Sequence, residues 1–230
     1  MLKKLTWICA LSLISSAVCN ETSTVFERVY DEGAWGWIYD EQQGKFRGGS
    51  GEGSDPQNAL PYLGFLQNFL RENDINSVVD VGSGDWRLSN KIDWSGIEYL
   101  GVDVVPFLID YNNRVFGASN IHFELADGVR EDLPAADLLI CKDVLQHLPI
   151  EDVQSFFKQL HKYKYALLTN DVNPDTLKSD NRNIVAGEYR PIALTETPFN
   201  LRAETVLCYR CVGGEVKLVL LWKNDAVSLD

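Results

Sequence analysis

The run Asp137-Leu138-Leu139-Ile140-Cys141 is apolar at every position after its first. A strand with one wet face alternates polar with apolar residues, whereas a strand covered on both faces does not. This run therefore predicts an internal strand of a sheet that has helices on either side. Its neighbours fit that layout. Strands are expected over 77–81, 98–102, 121–123 and 165–169. Helices are expected from Ser54-Asp55-Pro56 through Glu72, around 86–92, over 106–116 and over 150–163, where apolar residues recur at helical spacing. Strand–helix alternation implies right-handed crossovers and a parallel, doubly wound sheet. The end, ETVLCYRCVGGEVKLVLLWK, reads as a hairpin turning at Gly213-Gly214, which adds an antiparallel edge.

At 230 residues the chain is long enough for one self-sufficient core. The formal net charge is −12, and Lys3-Lys4 is the only basic run, which argues against a partner recognised through its phosphate backbone, so no nucleic acid is expected. Those lysines precede fifteen uncharged residues, LTWICALSLISSAVC. The pattern predicts a secretory leader over 1–19, too short for a comfortable membrane span, with Ala17 and Cys19 permitting cleavage before Asn20. A lipidated Cys19, an uncleaved anchor and a misassigned start are the alternatives. No membrane span is expected once the leader is removed. Residues 20–56 read as an irregular, glycine- and aromatic-rich lid, and 57–230 as the main domain. The five cysteines are too few for a disulfide framework. Cys208 and Cys211 are three apart in a strand-like run and so point to opposite faces, and no metal site is expected.

Polar residues collect where the predicted strands end: Asp80, Asp103, Asp127, Lys142-Asp143 and Asn170-Asp171. In an open parallel sheet the strand carboxyl ends, near the point where strand order reverses, are where ligands sit. The turn after the first of these strands is Gly82-Ser83-Gly84-Asp85-Trp86-Arg87, with arginine where a dinucleotide fingerprint has its third glycine. Asp80 and Asp85 would repel a pyrophosphate. Asp103, 23 residues after Asp80, stands where an acid accepts both ribose hydroxyls. A ligand with a ribose, a cation and no phosphate fits, which describes S-adenosylmethionine.

On these residues the chain resembles the class I S-adenosylmethionine-dependent methyltransferases. VVDVGSGDW is similar to the family's first motif, YLGVDVV to the second, FELADGVR to the third and ADLLICKDVLQHLP to the fourth, with the terminal hairpin as the family's edge; the match covers roughly 57–223. The resemblance implies a Rossmann-like, mostly parallel seven-stranded sheet with helices on both faces. It implies a donor site at Asp80, Gly82, Ser83, Gly84, Asp103, Val104, Asp127, Gly128 and Lys142. Asp143 and His147 would face the methyl group as an Asp–His pair able to take a proton. Asn170, Asp171, Arg190 and Trp35 of the lid would meet the acceptor. Each position also has a plainer reading: Asp103 as a helix cap, Asp127-Gly128 as a turn, Trp86 as core or as a ring near the sulfonium, His147 packed on Pro149. The implied activity is methyl transfer to oxygen or nitrogen, and the aromatic-bearing lid and acidic balance point to a small or cationic acceptor. The alternative is a non-catalytic binding module on a degenerate version of the fold. A leader implies export and the donor implies the cytoplasm, so localisation stays open, as does the oligomeric state.

Overall fold

The computed structural model describes residues 21–40 and 44–224; the leader expected over 1–19 lies outside them. Helix α1 (Glu21–Asp31) and a two-stranded antiparallel hairpin, β1 (Trp37–Asp40) and β2 (Lys45–Gly48), precede the main sheet. There follow α2 (Leu60–Glu72), β3 (Ser77–Val81), β4 (Glu98–Asp103), α3 (Pro106–Phe116), β5 (Ile121–Leu125), β6 (Ala136–Lys142), α4 (Ile150–Phe157), β7 (Tyr163–Val172), β8 (Glu204–Arg210) and β9 (Val216–Lys223). The seven-stranded order is β5-β4-β3-β6-β7-β9-β8. The first five strands are parallel, and β9 enters antiparallel between β7 and β8. Strand order reverses between β3 and β6, which opens a crevice at their carboxyl ends.

Two cores form because successive strand residues face opposite ways. Val79, Val81, Leu139, Cys141 and Leu168 pack with Val153 and Phe156 of α4 and with Phe26 and Tyr30 of α1. Val78, Leu138, Ile140 and Leu167 pack with Tyr62, Leu66, Phe69 and Leu70 of α2. Adjacent Leu138 and Leu139 are both fully buried, one in each core, as an all-apolar strand requires. Burying each such side chain contributes roughly 1.5–3 kcal/mol.

Local chemistry shifts several elements from the sequence expectation. The helix expected from Ser54 starts at Leu60, because Asp55 Oδ1 accepts the Gln57 N–H (2.8 Å) and closes a turn that competes with helix. Only a single 3₁₀ turn forms at Ser89–Lys91, since Trp86 takes φ 56, a left-handed conformation no right-handed helix contains. The helix expected to reach 163 stops at Phe157, and β7 is longer than expected. The segment read as irregular carries α1, whose Phe26 and Tyr30, one turn apart, are both buried. No helix among the described residues is long and apolar enough to cross a membrane.

Candidate functional site

The turn after β3 is built against β4. The Gly82 and Ser83 N–H groups both donate to the Val102 carbonyl, at 2.8 and 3.0 Å. Gly82 has φ 72, and a Cβ there would lie 2.3 Å from Val144 Cγ2, so only glycine fits. Asp103 ends β4 beneath this turn, where Oδ2 accepts the Gly84 N–H (2.9 Å) and Oδ1 the Val105 N–H (3.1 Å). It thus closes an Asx turn ahead of α3, without capping the helix, and is also a cavity wall. Burial pushes its carboxyl up to about 6, with the backbone donors pulling the other way. Asn112 of α3 holds the Gly84 carbonyl from behind (2.8 Å).

A cavity of about 110 Å³ sits here, with Gly82, Ser83, Gly84, Asp103, Val104, Asp127, Gly128 and Lys142 among its lining residues. The Ser83 hydroxyl is buried without a hydrogen-bond partner. Asp127 closes its own turn by accepting the Val129 N–H (3.0 Å) and pairs with Arg130 (2.7 Å) while edging the cavity. Asp80 does not line this cavity. It lies on the α2 face of the sheet, buried, accepting the Tyr99 hydroxyl proton at 2.5 Å, and burial pushes its carboxyl up to about 7. It borders a separate hollow of about 30 Å³ with Ser54, Gly82 and Lys142. Trp86 belongs to the core, with Tyr99, Phe116 and Phe123 rings 5.1–5.4 Å away.

The roof comes from the N-terminal segment: Thr22, Phe26 and Tyr30 of α1, then Trp35, Ser50 and Ser54. Ser50 ties it to the floor. Its N–H donates to Asp85 Oδ2 (3.0 Å), its Oγ accepts the Asp85 N–H (2.8 Å), and the Tyr30 hydroxyl meets the same Oγ at 2.8 Å.

A second cavity of about 520 Å³ adjoins the first, sharing Trp35, Ser50, Asp143 and His147 with it. His147 Nδ1 is 3.0 Å from the Glu188 carbonyl oxygen. A carbonyl only accepts, so Nδ1 carries the proton and Nε2 keeps its lone pair. The ring lies 4.8 Å from that of Trp35 and 5.8 Å from that of Tyr189. Burial lowers its pKa below the ordinary 6.5, which keeps it neutral at pH 7.

The expected Asp143–His147 pair gives way to a different arrangement. Asp143, at φ 60, is bound by Lys142 and by Lys217 (2.8 Å), and Lys217 also reaches Asp171 (2.7 Å). Burial alone would raise the Asp143 carboxyl, but the two ammonium groups outweigh it and hold the group at about 2. Lys142 also donates to the Gly53 carbonyl of the roof (2.8 Å). Replacing Lys217 by methionine should destabilise the fold by about 3–5 kcal/mol at pH 7, because two buried carboxylates lose their shared cation. The stabilisation from Asp143 is present above its unfolded value near 3.8 and lost as pH falls toward 2. Urea denaturation should therefore show the variant's deficit shrinking as pH is lowered through the carboxylate range.

Two expected acceptor residues lie elsewhere. Asn170 follows Thr169 and precedes Asp171 on β7, so it faces the opposite side of the sheet from Asp171. Its amide lines a hollow of about 20 Å³ among Leu194 and Leu218, with neither polar atom partnered. Arg190 is fully buried, donates to the Leu148 carbonyl (2.8 Å), and borders neither cavity; burial pulls its pKa down to about 10. Its neighbour Tyr189 borders the second cavity, with its hydroxyl 3.3 Å from Asp171. Sequence reasoning, which had Tyr189-Arg190 reaching over the site, missed Tyr30, Ser50 and Lys217. The last had a signal: a single lysine inside the apolar run VKLVLLW. Its partner Asp171, directly opposite on β7, is visible only in the strand register. Among the described residues no group of three or more His, Cys, Asp or Glu could hold a metal ion.

No protein-family model matches the chain, and no curated protein matches it in sequence. Solved structures share its fold. The mitomycin 7-O-methyltransferase MmcR is 15% identical with a TM-score of 0.53, covering 72% of this chain and 54% of its own, so the chain spans about half that enzyme. The N-methyltransferase NodS of Bradyrhizobium japonicum, in complex with S-adenosyl-L-homocysteine, is 17% identical with a TM-score of 0.55, covering 74% of this chain and 89% of its own. The N-terminal domain of EvdMO1, in the presence of S-adenosylhomocysteine and D-fucose, is 16% identical with a TM-score of 0.54, covering 86% and 95%.

Proposed function

We propose that this chain, which has the class I methyltransferase fold, moves a methyl group from S-adenosylmethionine to a small-molecule acceptor. The observation that carries the reading is the shared wall. His147, with a free Nε2, stands between a glycine-and-aspartate cavity at the strand switch point and a larger neighbouring cavity.

The lining chemistry fits the donor. Asp103 and Asp127 put carboxylates on the first cavity, and the one lysine there, Lys142, is engaged by Asp143 and the Gly53 carbonyl. A phosphate would be repelled, while a ribose diol and a cation are welcome. Asp103 would accept from the ribose hydroxyls, the unpartnered Ser83 hydroxyl would gain a partner, and Gly128 and Asp127 would edge the base. When bound, S-adenosylmethionine supplies a methyl group activated by positive sulfur. The protein's part is then to hold the two reactants in contact, exclude water and take up a proton. Trp35, Ser50 and Ser54 close over the site from above.

His147 Nε2 takes the proton from an acceptor hydroxyl or amine. Asp143 is unsuited to that task, since a carboxylate held at about 2 is too weak a base. Isothermal titration with S-adenosylhomocysteine tests the reading directly. One-site binding supports it, and absence of heat from a cooperatively melting protein rejects it.

A further inference from the structure

His147 ends the 3₁₀ turn Leu145–His147, and a segment far along the chain grips that turn. Residues 187–190 make four hydrogen bonds to residues 146–148. The Gly187 N–H donates to the His147 carbonyl (2.9 Å) and the Arg190 N–H to the Gln146 carbonyl (3.1 Å). The His147 ring donates from Nδ1 to the Glu188 carbonyl (3.0 Å), and Arg190 Nη1 donates to the Leu148 carbonyl (2.8 Å). Among the described residues no helix or strand lies between the end of β7 at Val172 and the start of β8 at Glu204. No ladder of strand or helix bonds therefore fixes the Glu188 carbonyl. A carbonyl on an irregular segment selects a tautomer only while its neighbours are tied down.

Arg190 is the member of this grip that works against the fold. Its side chain is fully buried, yet only Nη1 has a partner, and Nε and Nη2 have none. A buried cation with two of its three nitrogens unpaired destabilises a protein, and an apolar side chain of similar volume in its place often restores the loss. Arg190 also borders neither cavity, so it meets neither reactant. A local rule broken beside a site points to a function there, and the function must pass through the one contact the guanidinium makes. That contact is the carbonyl of the residue directly after the base.

We propose that Arg190 is a positioning residue for the base: by holding the Leu148 carbonyl it locks residues 187–190 onto the His147 turn, so that the Glu188 carbonyl keeps the ring proton on Nδ1 and leaves Nε2 free to take one. This rests on the reading of His147 as the base and adds what keeps that base in its working form. Histidine in water prefers the opposite tautomer, with the proton on Nε2. In that tautomer Nε2 is a donor and accepts no proton from an acceptor hydroxyl or amine. The grip thus opposes the ring's own preference, and a ring held by its surroundings is also held in orientation. Backbone bonds at Gly187 and Arg190 supply part of the hold, and the guanidinium is the part that a side-chain substitution removes.

The test is nuclear magnetic resonance of the full protein with isotope in its histidine nitrogens, recorded at pH 8, above the ordinary histidine value of about 6.5, where the rings are neutral. The chain has three histidines, so substituting His122 and His161 in turn assigns the ring signals. His161, whose Nδ1 faces the Lys158 carbonyl within its own turn (2.7 Å), is an internal control. In the unaltered protein His147 should carry its proton on Nδ1. In Arg190→Met the Nε2-protonated form of His147 should become the major one, with the His161 signals unmoved. Because a buried charge has been removed, this variant should melt within about 2 °C of its parent or above it. It should also bind S-adenosylhomocysteine as the parent does. Nε2-protonated His147 in the parent, an Nδ1 proton retained in the variant, a melting temperature below that bound, which would make Arg190 a structural brace, or loss of S-adenosylhomocysteine binding in the variant alone would each overturn the proposal. The parent's own titration with S-adenosylhomocysteine decides the donor reading without reference to the histidine signals, so failure of the one is told apart from failure of the other.

Discussion

Replacing Asp103 by alanine is expected to weaken S-adenosylhomocysteine binding by about 10²–10⁴-fold, the loss of two hydrogen bonds to a charged acceptor at roughly 1.5–3 kcal/mol each. The residue has no near substitute. Its carboxylate is fixed by the Gly84 and Val105 N–H groups and stands on the cavity that the glycine turn opens. Its acidity sets a pH dependence. Burial pushes the group up to about 6, so the ionised acceptor is lost as pH drops through that value, and affinity in the unaltered protein should fall with it. The alanine variant should show no such limb. Calorimetry across pH 5 to 8, with the melting transition recorded at each point, separates loss of binding from loss of fold; an alanine variant that binds as tightly as its parent would remove Asp103 from the site.

His147→Gln is expected to lower kcat by about 10²–10⁴-fold, the usual range for a general base. Glutamine keeps a comparable polar side chain but takes no proton. Donor affinity should change by less than about threefold, because the group acts on the acceptor's proton. With His147 as the proposed base, only its neutral form takes a proton in the unaltered protein. Since burial lowers its pKa, the acid limb of the rate lies below the ordinary 6.5, and pH 7 lies on the plateau. Single-turnover rates with labelled donor should lose that limb in the variant. A residual limb at the same position would assign the titration to another group.

Much of the architecture is legible in one dimension. The all-apolar run 138–141, the helical spacing over Pro106–Phe116 and the paired glycines at 213–214 led directly to a parallel sheet with an antiparallel end. The first cavity was equally accessible, because Gly82, Ser83, Gly84, Asp103, Asp127 and Gly128 are each local to one strand end. The failures are also physical. The rule that polar residues at strand ends line a site says nothing about which face they take, and so it overreached at Asp80 and at Asn170. Asp143 and His147 lie four residues apart, which suggested a pair, yet a left-handed backbone at Asp143 turns its carboxylate toward two lysines. Reading 20–56 as irregular hid α1, whose buried Phe26 and Tyr30 form part of the roof.

What the sequence determined by itself is therefore the layered sheet, the position of its crevice and the residues that line the first cavity there, since these depend on periodicity and on short stretches whose atoms are held together by the chain. Only the tertiary structure decided which ions pair, as at Lys217 with Asp143 and Asp171, and which ring nitrogen of His147 carries the proton. Those outcomes depend on side chains far apart in sequence being brought within a few ångströms, and at that range burial and Coulomb attraction, rather than local spacing, choose the partner.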